Sequence, residues 1–237
     1  SRLSEQTSYV KTRLVETRKD IVGKLKSVFK LFLLQDTTFL DEVFKNGGSF
    51  MSKECTDSLF SRFLSHVKNL DPDLSHISFV MDDYTTEERL RAINTGIFPS
   101  ERKQFILLEK LSLYIDDPLV EILLSSENVF KLQILFRFYM NLYYILGCFE
   151  SHMIDPKTPD GIRVGIFEIV SFMRQFLISI KPFSSPLSDK TDESSLIADI
   201  ASASDELHQS FKRALLSNSK TCEFFSQIIS LSIGFLF

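Results

Sequence analysis

The chain has no tryptophan and only three cysteines, eight glycines and seven prolines among 237 residues. Each scarcity excludes something. Cys55, Cys148 and Cys222 are far apart and odd in number, so neither a disulfide framework nor a Cys-x-x-Cys metal site is readable. A reducing compartment is expected. With so few Gly and Pro residues, and none of the prolines before Pro72, long helices are favoured over a many-stranded sheet. The 27 basic and 31 acidic residues give a net charge of -4. No dense Lys/Arg block occurs, so the footprint of a nucleic-acid binder is missing. No apolar run reaches the ~18–20 residues of a membrane span. The nearest, 224–237, is interrupted by Ser226, Gln227, Ser230 and Ser232, and no membrane insertion is expected. The N-terminus lacks the apolar centre of a signal peptide. It also lacks an initiating Met, so the sequence reads as a piece of a longer or processed protein.

What is present is apolar and aromatic. Hydrophobic residues make up 44% and phenylalanine alone contributes 23 residues. A chain of this size buries roughly 70–75% of its unfolded surface, so much of the core must be Phe. Val10, Leu14, Ile21, Leu25, Val28 and Phe32 recur at steps of 3, 4 or 7, the mark of an amphipathic helix. Thr38 is placed to cap a second helix that ends at Gly47-Gly48. Leu59 to Leu70 reads as a third, stopped by Asp71-Pro72. Ile77, Phe79 and Met81, and again Leu111, Leu113 and Ile115, alternate with intervening residues and suit two short strands that can pair. A short helix fits between them, from Thr86 to Ile93. Helices are then expected over about 127–153, 162–180, 196–216 and 222–237, with a polar loop at 182–195. The fold class is mainly all-α: a single domain over 1–237, a bundle of long helices with a small hairpin-like element near 77–84 and 109–117.

The enzymatic inventory is thin. There is no Gly-rich phosphate loop, His-Glu-x-x-His or Gly-x-Ser-x-Gly. His66, His76, His152 and His208 never pair at i, i+4. No catalytic residue, metal or cofactor is expected. Asp82-Asp83 suits a metal or an acid–base pair, but adjacent strand residues face opposite ways, which favours a turn. Asp116-Asp117-Pro118 also reads as a turn, and Cys148 as a small core residue. The basic stripe of the first helix (Lys11, Arg13, Arg18, Lys19, Lys24, Lys26, Lys30) fits either an acidic partner or a solvated face.

Three stretches together resemble the C-terminal half of the gamma-tubulin complex component family. In the first, Leu25 to Phe39, Phe32-Leu33-Leu34 and Phe39 match a helix end and the aromatic that opens the next helix. Gln35, Thr37 and Thr38 stand where the family has Gly, Gly and Asp. In the second, Leu111-Ser112-Leu113-Tyr114-Ile115-Asp116-Asp117-Pro118-Leu119 is similar to the family's alternating strand closed by Pro-Leu. Ile122-Leu123 and Leu135-Phe136-Arg137-Phe138 then match its next helix and the start of its longest one, with an extra residue near Ser125. In the third, Ile197 to Leu216, Ser204 stands at a family His and Ala214 at a family Cys. The family's Trp in the helix 162–180 is absent. The resemblance spans about residues 5–237 and is that of a divergent member.

The resemblance implies a helical bundle that binds gamma-tubulin alongside other gamma-tubulin complex subunits. It implies a non-enzymatic scaffold, acting in microtubule nucleation at the spindle pole or centrosome, within the cytoplasmic cytoskeleton. Partner-contacting residues implied on this reading are Asp36, Thr38 and Asp41 after the first helix, Arg137, and Asp205 and His208 in the late helix. For each, capping or solvation is the plainer role. A helical adaptor or tethering-complex subunit in membrane traffic is the alternative. The proline-closed strand argues against it, because a plain helical rod has no need of one.

Overall fold

The computed structural model describes residues 20–35, 56–67, 76–83, 107–180 and 193–212. Residues 20–32 form α1 and Asp57–Val67 form α2. Ile77–Met81 is β1 and Leu111–Ile115 is β2. The single turn α3, Leu107–Lys110, leads directly into β2. Then follow α4 (Pro118–Ile154), α5 (Asp160–Ile180) and α6 (Glu193–Phe211). The described residues are thus mainly helical, with one small antiparallel sheet, as the spacing of apolar residues predicts.

In α1, Ile21, Leu25, Val28 and Phe32 are all buried at steps of 4, 3 and 4, forming one apolar stripe. Its end is a Schellman turn: Gln35 N donates to Lys30 O at 2.9 Å and Leu34 N to Leu31 O at 3.1 Å. Leu34 occupies the left-handed position, with φ 48°. Glycine is the usual residue there, because a Cβ costs about 1–2 kcal/mol in that region. The Leu34 side chain is only 1% exposed, so its burial offsets that cost.

The two strands pair in the register Ile77↔Ile115, Phe79↔Leu113 and Met81↔Leu111. Leu111, Leu113 and Ile115 are buried, while Tyr114 is half exposed. The ladder runs one step past β1, where Asp82 N donates to Lys110 O at 2.9 Å. Asp82 thus continues the pairing, inside the hairpin-like element expected near 77–84, and the chain bends at Asp83. Phe63 of α2 meets Phe79 of β1 edge-on at 5.7 Å.

Helix α4 is the central element; α3, β2, α5 and α6 all pack on it. It starts at Pro118, nine residues before the expected Glu127. Asp117 is the N-cap, accepting from Leu119 N and Val120 N, and Pro118 fills the first turn, where no N–H is needed. At Ser125 the backbone leaves helical geometry, with φ 64° and ψ 151°, and the helix kinks. Ser125 Oγ accepts from Asn128 N at 3.4 Å and caps the second segment. Beyond the kink Leu132, Ile134, Leu135, Phe136, Tyr139 and Met140 are all buried. This is burial on several sides, as an almost wholly apolar sequence requires. Phe32 of α1 packs edge-on to Phe136 at 6.2 Å.

Helix α5 buries Ile166, Val170, Met173 and Leu177 but leaves Val164, Phe167 and Ile178 more than half exposed. Helix α6 buries Ala203 and Leu207. It begins at Glu193, three residues inside the loop expected at 182–195, the rest of which lies outside the described residues. The helices expected at 38–47, 86–93 and 222–237 lie outside the described residues.

Ser125 sits in a backbone region that suits only glycine, at a cost of order 1–3 kcal/mol. As an N-cap, glycine is only a few tenths of a kcal/mol poorer than serine. Ser125→Gly should therefore raise the thermal midpoint, and Ser125→Val should lower it; calorimetry of the two variants checks this.

Candidate functional site

The polar groups of the described core gather at three places along α4. The first is the outer edge of β2. One edge of β2 pairs with β1; a helix closes the other. Gln133 accepts from Leu113 N at 3.1 Å, and its amide nitrogen donates to Leu113 O. One turn on, Arg137 Nε donates to Leu111 O at 3.1 Å and Nη2 contacts Lys110 O at 3.4 Å. The same Nη2 reaches Asp82 Oδ2 at 2.7 Å and Ser112 Oγ at 2.5 Å. Two helix side chains thus stand in for a third strand, which removes an exposed edge. The Arg137 side chain is 2% exposed and that of Asp82 11%. A guanidinium at that depth is tolerated only with a carboxylate and several acceptors around it.

The second place joins α1 to the start of α4. Lys24 Nζ lies 2.8 Å from both Asp117 Oδ2 and Asp20 Oδ2. His76 Nε2 is 3.3 Å from Lys24 O. Partial burial alone would raise the Asp117 carboxyl. The Lys24 hydrogen bond, the Val120 and Leu119 amides and the Lys24 charge outweigh it and hold Asp117 below the ordinary aspartate value. Lys24 is raised, first by its hydrogen bond to Asp117 and then by that to Asp20. At the same end of the hairpin, Ser78 donates to Asp116.

The third place is the seam between α4 and α6. Asn128 Nδ2 donates to Ser204 Oγ at 2.8 Å. Lys131, largely buried, reaches out to the exposed Glu127 at 2.6 Å. That hydrogen bond and the Lys131 charge lower Glu127, with a further contribution from His208. His208 Nδ1 and Ser210 Oγ are buried with no hydrogen-bond partner among the described residues. Asp205 is exposed.

The sequence-derived candidates therefore separate. Asp36, Thr38 and Asp41 lie outside the described residues. Arg137 is corrected: it is a buried ion-pair partner inside the molecule, not a cation offered to a partner. Asp205 and His208 lie on α6, which meets α4 near Asn128, about 14 Å along that helix from Arg137. Lys24, part of the basic stripe, is used internally. Sequence reasoning passes over Gln133, and reads Asp82 and Asp117 as turn residues without their ion-pair partners. Asp117 carries a signal, since Asp followed by Pro opens many helices. Gln133 and Arg137, polar at i and i+4 in an apolar helix, carry another.

Among the described residues no group of three or more His, Cys, Asp or Glu side chains is placed to hold a metal ion. None of the described helices is long and apolar enough to cross a membrane. No protein-family model matches the chain, and no curated protein matches it.

Two stability experiments follow from the first two sites. Asp82→Ala strands a buried guanidinium and should cost about 3–5 kcal/mol in urea unfolding. Replacing the pair together, as Asp82→Leu with Arg137→Met, should cost clearly less, because no charge is left unpaired. The lowered Asp117 carboxyl contributes stability that is fully present above its unfolded value of about 3.9. This contribution disappears as pH falls through the lower folded value. Asp117→Asn should therefore lose stability at pH 6 and show a shallower acid limb between pH 5 and 2.

Proposed function

We propose that this chain is a non-enzymatic scaffold that binds gamma-tubulin and holds it beside other gamma-tubulin complex subunits for microtubule nucleation at spindle poles or centrosomes. The observation that carries the reading is the linkage of β2, Asp117-Pro118 and Arg137. These residues contain the most specific part of the sequence resemblance, and in the fold they form one connected unit. A rigid unit of this kind suits a scaffold, whose contribution is positional. Fixing a partner's orientation lowers the entropy cost of the lateral contacts a nucleus needs. Any nucleotide chemistry would then belong to the tubulin.

On this reading Arg137 supports the surface from within, and α6 supplies contacts through Asp205 and His208. The turn bearing Asp36, Thr38 and Asp41 would supply the rest. The purified chain should co-elute with gamma-tubulin in size-exclusion chromatography, with both near micromolar concentration. Asp205→Lys should weaken that complex about tenfold while leaving the thermal midpoint unchanged. An unshifted gamma-tubulin peak would sink the proposal. Affinity capture of vesicle-tethering proteins without tubulin would favour the adaptor alternative instead.

A further inference from the structure

The connection between α4 and α5 reads Asp155-Pro156-Lys157-Thr158-Pro159. A hydroxyl side chain has proline two places before it and another immediately after it. Proline fixes φ at about -65°, lacks an N–H, and pushes the residue before it towards extended backbone. Asp155 is extended accordingly, with φ -63° and ψ 120°. Such a segment suits an enzyme that takes its substrate as an extended strand and has no acceptor for an N–H just after the reacting hydroxyl. Proline-directed serine/threonine kinases are of that class.

Access is the first requirement. No residue from 150 to 165 is buried, and Met153 is the one apolar side chain among them that packs against the described core. The connection is held by hydrogen bonds. Thr158 N donates to Asp155 O at 3.1 Å, Lys157 N to Asp155 Oδ1 at 2.9 Å, and Thr158 Oγ1 to His152 O at 2.7 Å. Opening the turn exchanges these for bonds to water and uncovers little apolar surface, so local opening is cheap there.

A receiver for the added charge is the second requirement, and Arg163 supplies it. Its Nη2 donates to Asp155 O at 3.2 Å and to Thr158 O at 3.0 Å, and its Nη1 reaches Asp160 Oδ1 at 3.0 Å. Its Nε is buried with no hydrogen-bond partner among the described residues. A guanidinium held against the Thr158 backbone with a donor to spare fits a phosphate, whose oxygens accept in the same fork geometry. His152 and Lys157 flank the same hydroxyl, and the opposing carboxylates are Asp155 and Asp160. The Asp160 side chain is 96% exposed, so water screens it.

We infer that Thr158 is a phosphorylation site for a proline-directed serine/threonine kinase and that Arg163 binds the phosphate once it is attached. The terminal phosphoryl group of ATP passes to Oγ1. Its bond to the bridging oxygen breaks and ADP leaves, a P–Oγ1 bond forms, and the hydroxyl proton goes to the kinase's base. The ester oxygen cannot donate to His152 O. The modification therefore releases the last turn of α4 on one side of the connection and ties down the first turn of α5 on the other. The inference is independent of gamma-tubulin binding.

Incubating the folded whole chain with ATP and a mitogen-activated protein kinase, a proline-directed enzyme, should place phosphate on Thr158, as read by peptide mass mapping. Thr158→Ser should retain the modification, and Pro159→Ala should slow it at least tenfold. Ser185-Pro186 is the other Ser/Thr-Pro pair in the sequence, and Ser185→Ala should leave the rate at Thr158 unchanged. In phosphorus NMR the attached phosphate should titrate at lower pH than phosphothreonine in a short unstructured peptide, because an adjacent cation favours the dianion. Arg163→Gln should remove that difference. A folded chain left unmodified at Thr158, whether or not a free peptide of residues 150–165 is modified, would overturn the site. A phosphate titration indifferent to Arg163→Gln would overturn the role of Arg163.

Discussion

The described fold depends on how one guanidinium is accommodated. Arg137 lies in a strongly apolar helix and is almost wholly removed from water. Desolvating it costs several kcal/mol, which only near-complete hydrogen bonding and a carboxylate can offset. Those partners come from two separate places: the Lys110 and Leu111 carbonyls and the Ser112 hydroxyl where the chain enters β2, and the Asp82 carboxylate just beyond β1. Because Asp82 and Lys110 are also a step of the strand ladder, the ion pair and the hairpin require each other. The arrangement fixes where the hairpin sits along α4 and so fixes the faces left for α5 and α6.

Charge elsewhere in the described structure follows a similar rule. Lys24 and Asp117 meet where α1 passes the first turn of α4, and Asp117 serves both as helix cap and as ion-pair partner. Lys131 buries its apolar stem on α4 and places its ammonium beside Glu127 at the surface, one turn back on the same helix. The apolar contacts supply most of the stabilisation, being numerous and non-directional. The polar contacts are few and directional, so they decide which of the many ways of stacking apolar helices is adopted. On α6 the buried Nδ1 of His208 and Oγ of Ser210 are exceptions, having no hydrogen-bond partner among the described residues.

Much of this is legible in the sequence, for identifiable reasons. Strand alternation at 77–81 and 111–115 is a period-2 signal that needs no tertiary information, and both strands fall where it puts them. The stripe of α1 and the length of α5 follow likewise from the 3.6-residue period. The start of α4 is harder to read. Leu124 is buried but Ser125, next to it, leaves helical geometry, so the apolar pattern breaks there. It restarts near Glu127 and hides the first two turns. The partner of Asp82 is 55 residues away, and no local pattern reports a contact at that separation. Arg137 stands out in the sequence as a cation in an apolar run. Its burial is not legible there, because a cation in a sequence does not disclose whether its carboxylate lies inside the same chain.

The surrogate strand made by Gln133 and Arg137 has a consequence for how far such a device can extend. Four helical residues advance about 6.0 Å, and two strand residues about 6.8 Å. The two repeats are nearly commensurate over one step, so side chains one helical turn apart meet backbone positions two residues apart. Over a second step the mismatch grows to about 1.6 Å, more than half a hydrogen-bond length. The next rung in this direction would be residue 109, which lies in α3 and not in β2, and Asn141 donates to Arg137 O within its own helix at 2.7 Å. Strand and surrogate therefore end together: two side chains one helical turn apart are enough to seal the outer edge of so short a strand at Leu113 and Leu111.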